Sequence, residues 1–172
     1  MKKEISIILP IHNEKDSLPI MIRLLNSTIK FSKEIICVYD TEQDNALTIA
    51  KQLCEEFDNV KLIHNKQGRG VKYAVAAGVQ NAKYDLIMIF AVDEIFPIIA
   101  IERMTDYLIK NDLDFISGTR YSKGGIRLGG SMIGALFSRL ANKLFTLFTN
   151  IPLTDCTTGV KLMKKKIWNS IE

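Results

Sequence analysis

An α/β fold, with a mostly parallel sheet flanked by helices on both faces, is what this sequence predicts. Three observations lead there. Short apolar runs alternate with helical stretches along the whole chain, the pattern of strand-helix-strand units. Most of these runs are continuously apolar rather than alternating in polarity, which suits strands buried on both faces. Each run also ends in a polar turn carrying acids, glycines or an arginine, and open parallel sheets hold their ligands at the carboxyl ends of their strands.

Taken in order, the first strand is expected over Ile5–Leu9 and runs into PIHNE, residues 10–14. A helix over Ser17–Lys30 has apolar residues at 18, 21, 22, 25 and 29, the spacing of one helical face. The second strand, Glu34–Tyr39, ends at Asp40 and the turn TEQDN. The helix Asn45–Phe57 follows, apolar at 46, 49, 50, 53 and 57. The third strand, Val60–Ile63, leads into HNKQGRG, residues 64–70, and a helix over Arg69–Ala82. The fourth, Leu86–Phe90, delivers Asp93 and Glu94 ahead of a helix over Ile98–Lys110. The fifth, Asp114–Ser117, is followed by GTRYSKGG, residues 118–125. Acids, glycines and an arginine thus meet at one edge, a combination suited to a phosphorylated ligand with a cation.

Composition narrows the class. The 172 residues, 47% hydrophobic and 24% charged, suit one globular domain over 1–172. The ending KKKIWNSIE does not close the fold, so a C-terminally incomplete domain is expected. A net charge of +4 is compatible with anionic ligands or an anionic membrane surface; no nucleic acid partner is expected. Cys37, Cys54 and Cys156 are odd in number and form no C-x-x-C pair, which favours a reduced, cytoplasmic setting over a disulfide framework. The N-terminal apolar run is too short for a signal peptide. The most apolar helix candidate, Met132–Phe148, contains Arg139, Asn142 and Lys143 and is a poor transmembrane span.

Several blocks carry a resemblance. ISIILPIHNE resembles the opening of family 2 glycosyltransferases, and ICVYDTEQDNALTIA resembles their second strand with its acidic turn. NKQGRGVKYAVAAGVQNA is similar to the glycine-rich helix start before the family's D-x-D strand. FISGTRY, FSRLANKLF and TDCTTGVKLMKK resemble the later blocks of the polyprenyl-phosphate, dolichol-phosphate mannose synthase-like branch. The blocks occur in order over nearly the whole chain. The resemblance implies a GT-A fold, a nucleotide-diphosphate sugar donor, Mg²⁺ or Mn²⁺, and inversion at the sugar carbon. The branch implies a polyprenyl phosphate acceptor, with the protein peripheral at the inner face of a membrane.

Three departures stand out. Tyr39-Asp40 replaces a pair of aspartates, Ala91-Val92-Asp93 replaces D-x-D, and Gly134 occupies a position where relatives carry an arginine. Arg127 and Arg139 are the candidates to take the place of that arginine.

Each candidate has a plainer reading beside it. Asp93 is the leading catalytic and metal candidate, since Mg²⁺ can bind through one or two carboxylates plus substrate phosphates; otherwise it simply opens a helix near Pro97. Glu94 ranks second as a metal ligand. The resemblance places Pro10, His12 and Glu14 in the nucleotide pocket; a capping turn with Asn13 or Asp16 is the alternative. It places Asp40 on the base or ribose; a turn-forming aspartate is the alternative. Gly68, Arg69 and Gly70 bring backbone N–H groups and a cation to the diphosphate, or form only a tight turn. His64 reads as a solvated strand-end residue.

Arg120 is the acceptor-phosphate candidate, since a guanidinium forks onto phosphate; a surface ion pair is the alternative. Ser138 and Arg139 join it, with Lys143 four residues on and on the same helix side. That helix presents an apolar face suited either to core packing or to a membrane surface. Asp155 is a general-base candidate for a hydroxyl acceptor and a positioning group for a phosphate acceptor, which needs no base. A metal-dependent glycosyltransferase is the first functional reading. A nucleotide-sugar-binding or regulatory domain without turnover is the second, motivated by Ala91 and Tyr39. A nucleotidyltransferase is weaker, because its N-terminal phosphate loop is absent.

Overall fold

The computed structural model describes residues 2–122, 125, 132–151 and 153–170. Its elements run β1 (Glu4–Pro10), α1 (Ser17–Thr28), β2 (Ser32–Tyr39), α2 (Leu47–Glu56), β3 (Val60–His64), α3 (Val71–Gln80) and β4 (Leu86–Ile89). A 3₁₀ turn (Phe96–Ala100) then leads into α4 (Ile101–Lys110), followed by β5 (Phe115–Ser117), α5 (Met132–Thr149), β6 (Lys161–Lys164) and α6 (Lys165–Asn169). The six strands form one sheet in the order β3-β2-β1-β4-β6-β5.

The five expected strands are present, and β1 to β4 pair in parallel. The sequence reading missed β6, which inserts antiparallel between β4 and β5, with Ile87 opposite Met163 and Phe115 opposite the same residue. Only Leu162 and Met163 of β6 are buried; both ends are lysines, so its apolar run is too short to be noticed. The fourth helix starts at Ile101 rather than Ile98, because Pro97 sits in the 3₁₀ turn.

β1 shows why the sheet is layered. Ile5, Ile7 and Leu9 join a core with α1, α2 and α4 residues such as Leu18, Met21, Leu53 and Leu108. Ile8 faces the other way, into a second core with Ala74, Val75 and Ala77 of α3. The chain winds outward from β1 to β3 and is then carried back by α3 to β4 on the far side of β1. The order reverses between β1 and β4, which opens a crevice at their carboxyl ends.

At the opposite end of the sheet, one buried acid organises that crossover. Glu34 accepts hydrogen bonds from Ser6 Oγ (2.5 Å), Lys61 Nζ (2.8 Å) and the Lys83 backbone N–H (2.5 Å). Burial pushes its carboxyl up, but the bonds from Lys61, Ser6 and Lys83 outweigh this and leave it below the ordinary value. Tyr84 N–H donates to Ser6 Oγ (3.0 Å), so the turn after α3 is pinned to β1 and β2.

Gly78 lets α3 approach β1. A Cβ there would lie 2.5 Å from Ile8 Cγ2, and Ile8 is fully buried. Gly78→Ala should therefore lower stability by about 1–3 kcal/mol through overpacking, although alanine favours a helix over glycine by about 1 kcal/mol. Urea unfolding checks this; an unchanged or raised midpoint contradicts the tight contact.

Candidate functional site

Turns from β1, β2, the start of α3 and β4 enclose a crevice of about 530 Å³, within the usual range for small-molecule sites. Pro10, His12, Glu14, Asp40, Arg69, Gly70 and Asp93 all line it, as do Ala91 and Gly159. Seven sequence candidates therefore meet in one cavity. Gly68 is not part of the lining; a Cβ there would lie 2.9 Å from the Tyr73 ring.

Buried side chains hold these turns in place. Asp44 accepts the Asn13 N–H on both carboxylate oxygens (3.1 Å each) and the Ala46 N–H (2.8 Å), tying the turn after β1 to the turn after β2. Asn13 sits at φ 61°, a conformation that asparagine tolerates better than most residues. Asp16 makes no side-chain cap bond to α1, whereas Glu14 accepts the Ser17 hydroxyl (2.9 Å).

Asp40 accepts the Gly70 N–H (2.7 Å) on one oxygen and Asn65 Nδ2 (2.7 Å) on the other. Asn65 is buried, also donates to the Gly68 carbonyl (2.6 Å) and accepts the Gln67 N–H (2.9 Å). Gly70 has φ 106°, which needs glycine. Asp40 thus braces the glycine turn against β2 and also faces the crevice. Asp44 and Asn65 were missed in the sequence. Their signal was only that of Asx residues in strand-end turns.

The tyrosine that replaces an acid is also engaged. Tyr39 stacks on His64 with centroids 4.6 Å apart and donates its hydroxyl to Glu42 (3.0 Å). His64 Nδ1 lies 3.4 Å from the same carboxylate. His64 is therefore a stacked, half-buried residue rather than a solvated one.

After β4 the two acids diverge. Asp93 is exposed on the crevice wall, with no hydrogen-bond or ion-pair partner among the described residues. Glu94 turns toward Gly159: a Cβ there would lie 3.3 Å from Ala91 Cβ and 3.9 Å from Glu94 Oε2. Burial, then the charge of Asp93, raises the Glu94 carboxyl above its ordinary value, with Arg120 and Lys161 opposing. A divalent cation beside Asp93 and Glu94 would offset the burial and the neighbouring charge that work against an ionised Glu94. The described residues contain no cluster of three or more His, Cys, Asp or Glu side chains. A cation held by Asp93 and Glu94 would draw its other ligands from phosphate oxygens and water, as Mg²⁺ commonly does.

Beyond Gly159 lies an ion pair between residues 35 positions apart. Arg120 donates from Nε to Asp155 Oδ2 (2.7 Å), from Nη2 to Oδ1 (2.9 Å) and from its backbone N–H to Oδ2 (3.1 Å). Thr157 adds its hydroxyl to Asp155 Oδ1 (2.9 Å). Burial works against the Asp155 carboxylate, but these donors outweigh it and bring its pKa down to about 2. Such a carboxylate is a weak base. Arg120 Nη2 also reaches the Thr157 hydroxyl (2.6 Å), which lies 3.4 Å from Ser138 Oγ. Arg120 and Arg139 both sit against the Tyr121 ring, at 5.4 and 5.5 Å. The three acceptor-side candidates therefore converge. Arg127 lies outside the described residues.

The model of the family described as glycosyl transferase family 2 matches residues 6–171. A dolichol-phosphate mannosyltransferase of Pyrococcus furiosus is 30% identical over 71% of this chain and 34% of its own length. A dolichyl-phosphate beta-glucosyltransferase of Dictyostelium discoideum is 31% identical over 91% of this chain and 50% of its own. The chain spans half the length of these relatives or less. Among solved structures, glucosyl-3-phosphoglycerate synthase of Mycobacterium tuberculosis, in complex with Mn²⁺, uridine diphosphate and glucosyl-3-phosphoglycerate, aligns with a TM-score of 0.72. It is 13% identical over 95% of this chain and 57% of its own. The architecture is accordingly of the GT-A type.

The Arg120–Asp155 pair sets a stability test. Arg120→Ala leaves the fully buried Asp155 side chain without its cation and should cost about 3 kcal/mol at neutral pH. Asp155 has a depressed pKa in the folded protein, so its contribution is complete above its unfolded pKa of about 4. It is lost as pH falls toward about 2. The deficit of the variant should be largest near neutral pH and shrink on acidification, read by urea unfolding from pH 7 to 3. A deficit that grows with acid contradicts the assignment.

Proposed function

This chain belongs to glycosyl transferase family 2, and from that premise we propose that it transfers a sugar from a nucleotide-diphosphate donor to a polyprenyl phosphate, with inversion and with Mg²⁺ or Mn²⁺ as cofactor. The observation that carries this is the crevice at the strand ends, where Asp40, Arg69, Gly70 and Asp93 face one cavity.

In this reading the base and ribose lie against Pro10, His12 and Asp40, and Glu14 borders them. The diphosphate meets the Arg69–Gly70 turn, whose backbone is held in shape by Asp40 and Asn65. Asp93 and Glu94 are the residues that would hold a divalent cation, which would supply electrostatic stabilisation of the departing diphosphate. An acceptor oxygen attacks the anomeric carbon from the side opposite the donor phosphate. The new carbon–oxygen bond forms as the bond to the diphosphate breaks, and the electron pair leaves with the nucleoside diphosphate.

Asp155 bears on the acceptor. A hydroxyl acceptor must lose a proton to a base, and Asp155, at about 2 and clamped by Arg120, is poorly matched to that work near neutral pH. A phosphate acceptor arrives anionic and needs no base. The relatives named for dolichol-linked phosphates point the same way. In this reading Asp155 acts through Arg120 as a positioning group. The exposed stripe of Leu136, Phe137, Leu140, Leu144, Leu147 and Phe148 on α5 would rest on a membrane surface, on its cytoplasmic side. No helix among the described residues is long and apolar enough to cross one.

A sugar-nucleotide-binding domain without turnover is the reading that Ala91 favours. Two measurements separate the possibilities. UDP-, GDP- or CDP-sugars with Mn²⁺ should raise the melting temperature, since a ligand at 100 times its Kd adds about 2.7 kcal/mol. Asp93→Ala should remove the Mn²⁺-dependent part of the shift. A shift that survives this change rejects the metal role, and no shift with any donor rejects the donor site. Sugar transfer to a polyprenyl phosphate by the full-length protein rejects the inactive reading.

A further inference from the structure

Tyr39, which replaces the first of a pair of aspartates in the family's pattern, stands opposite His64 as the last pair of the β2–β3 ladder. β3 is the edge of the sheet and pairs with β2 alone among the described strands. Its Leu62, Ile63 and His64 are only partly buried. The end of such a strand opens easily unless something holds it. Here the Tyr39 and His64 rings stack, 12° from parallel. One more ladder bond follows them, from the Asn65 N–H to the Tyr39 carbonyl (2.8 Å).

Glu42 orients the two rings. Its carboxylate accepts the Tyr39 hydroxyl and lies against His64 Nδ1. Burial, then the hydrogen bond and charge of Glu42, push the Tyr39 hydroxyl above its ordinary value, so it stays a donor. Glu42 belongs to the turn after β2, and Thr41 beside it lines the crevice.

The stack lies on one side of the sheet and the groups that shape the crevice lie on the other. Tyr39 joins the core beneath α1 and α2. Asp40 and Asn65, the next residue on each strand, meet on the α3 side. There Asp40 accepts Asn65 Nδ2 on one oxygen and the Gly70 N–H on the other. Side chains alternate along a strand, so fixing residues 39 and 64 behind the sheet fixes 40 and 65 in front of it. Asn65 holds the Gly68 carbonyl and the Gln67 N–H from that same position.

We propose that Tyr39 and His64 are positioning residues for the donor: their stack locks the end of β3 and, through Asp40 and Asn65, keeps the turn at Gly68–Gly70 shaped for a diphosphate. The link to a diphosphate rests on the donor-site reading above; the lock itself does not. The tyrosine then exchanges a carboxylate for a ring that shapes the site from behind instead of facing it. An acid at position 39 could not stack on His64 and would stand beside the Glu42 carboxylate.

Amide hydrogen exchange of the ligand-free chain tests the lock. In His64→Ala the Asn65 and Gly70 N–H groups should exchange about three- to tenfold faster, the range for loss of one aromatic pair. Amides of β1 and α1 should keep their rates. His64→Phe retains a ring and should restore the wild-type rates. His64 is partly exposed on an edge strand, so both variants should fold. Unchanged Asn65 and Gly70 rates in His64→Ala overturn the lock, and so does faster exchange throughout the chain, which marks a general loss of stability. Failure of phenylalanine to restore the rates overturns the stacking. Binding of UDP, GDP and CDP with Mn²⁺ to the same samples tests the link to the donor. His64→Ala should weaken whichever nucleotide binds the wild type by a similar factor, with rescue by phenylalanine; unchanged affinity overturns the link. If no nucleotide binds the wild-type chain while Asn65 and Gly70 respond, the donor reading falls and the lock stands.

Discussion

β1 is paired on both edges, with β2 and β4, and packed on both faces, and the rest of the molecule is arranged around that constraint. Ile5, Ile7, Ile8 and Leu9 are fully buried, so the strand has no side on which to present a functional group. Every exposed polar group near it must come from its ends. The reversal of strand order beside β1 then leaves its carboxyl end uncovered by a crossover. The crevice is a consequence of packing, and the chemistry gathers there because nowhere else along the central strands is open.

The loops that border the crevice would wander without further support, because loops have few apolar contacts to order them. They are ordered by buried polar groups. Asp44 ties two turns together, and Asp40 with Asn65 shapes the glycine turn. These bonds draw acids away from ligand chemistry. Among the acids on the crevice, Asp40 is occupied by backbone and amide donors and Glu14 by a serine, while Asp93 faces the cavity without a partner among the described residues. This division gives physical content to the ranking of Asp93 above the others: a carboxylate that already satisfies the protein has less to offer a cation.

Much of the architecture was legible because its signals are local. Continuous apolar runs marked β1, β2 and β4, and helical spacing marked α1 and α2. The edge positions of Asp40, Arg69, Gly70 and Asp93 followed from strand ends alone. What was not legible depends on distance in the chain. β6 has only two buried residues between lysines, and its strand character comes from the gap between β4 and β5 that it fills. The Arg120–Asp155 pair joins residues 35 positions apart; each was noticed singly, and nothing local says that one neutralises the other. Asn65 looks like any turn asparagine until its burial is seen.

The pairing of Arg120 with Asp155 also constrains what reaction this site can serve. A donor cavity needs cations for a diphosphate, and an acceptor cavity needs either a base or an acceptor that brings its own charge. Here the acid best placed to be a base is held far below neutrality by the neighbouring arginine, so Asp155 serves that arginine's position rather than proton transfer. Among the described residues, Arg139 and Lys143 add positive charge without an ion-pair partner, on a helix whose outer face is apolar. Positive charge beside an exposed apolar stripe selects for molecules that are anionic at one end and greasy at the other. A base held out of use and positive charge beside an apolar face thus bear on the proposed acceptor through different residues.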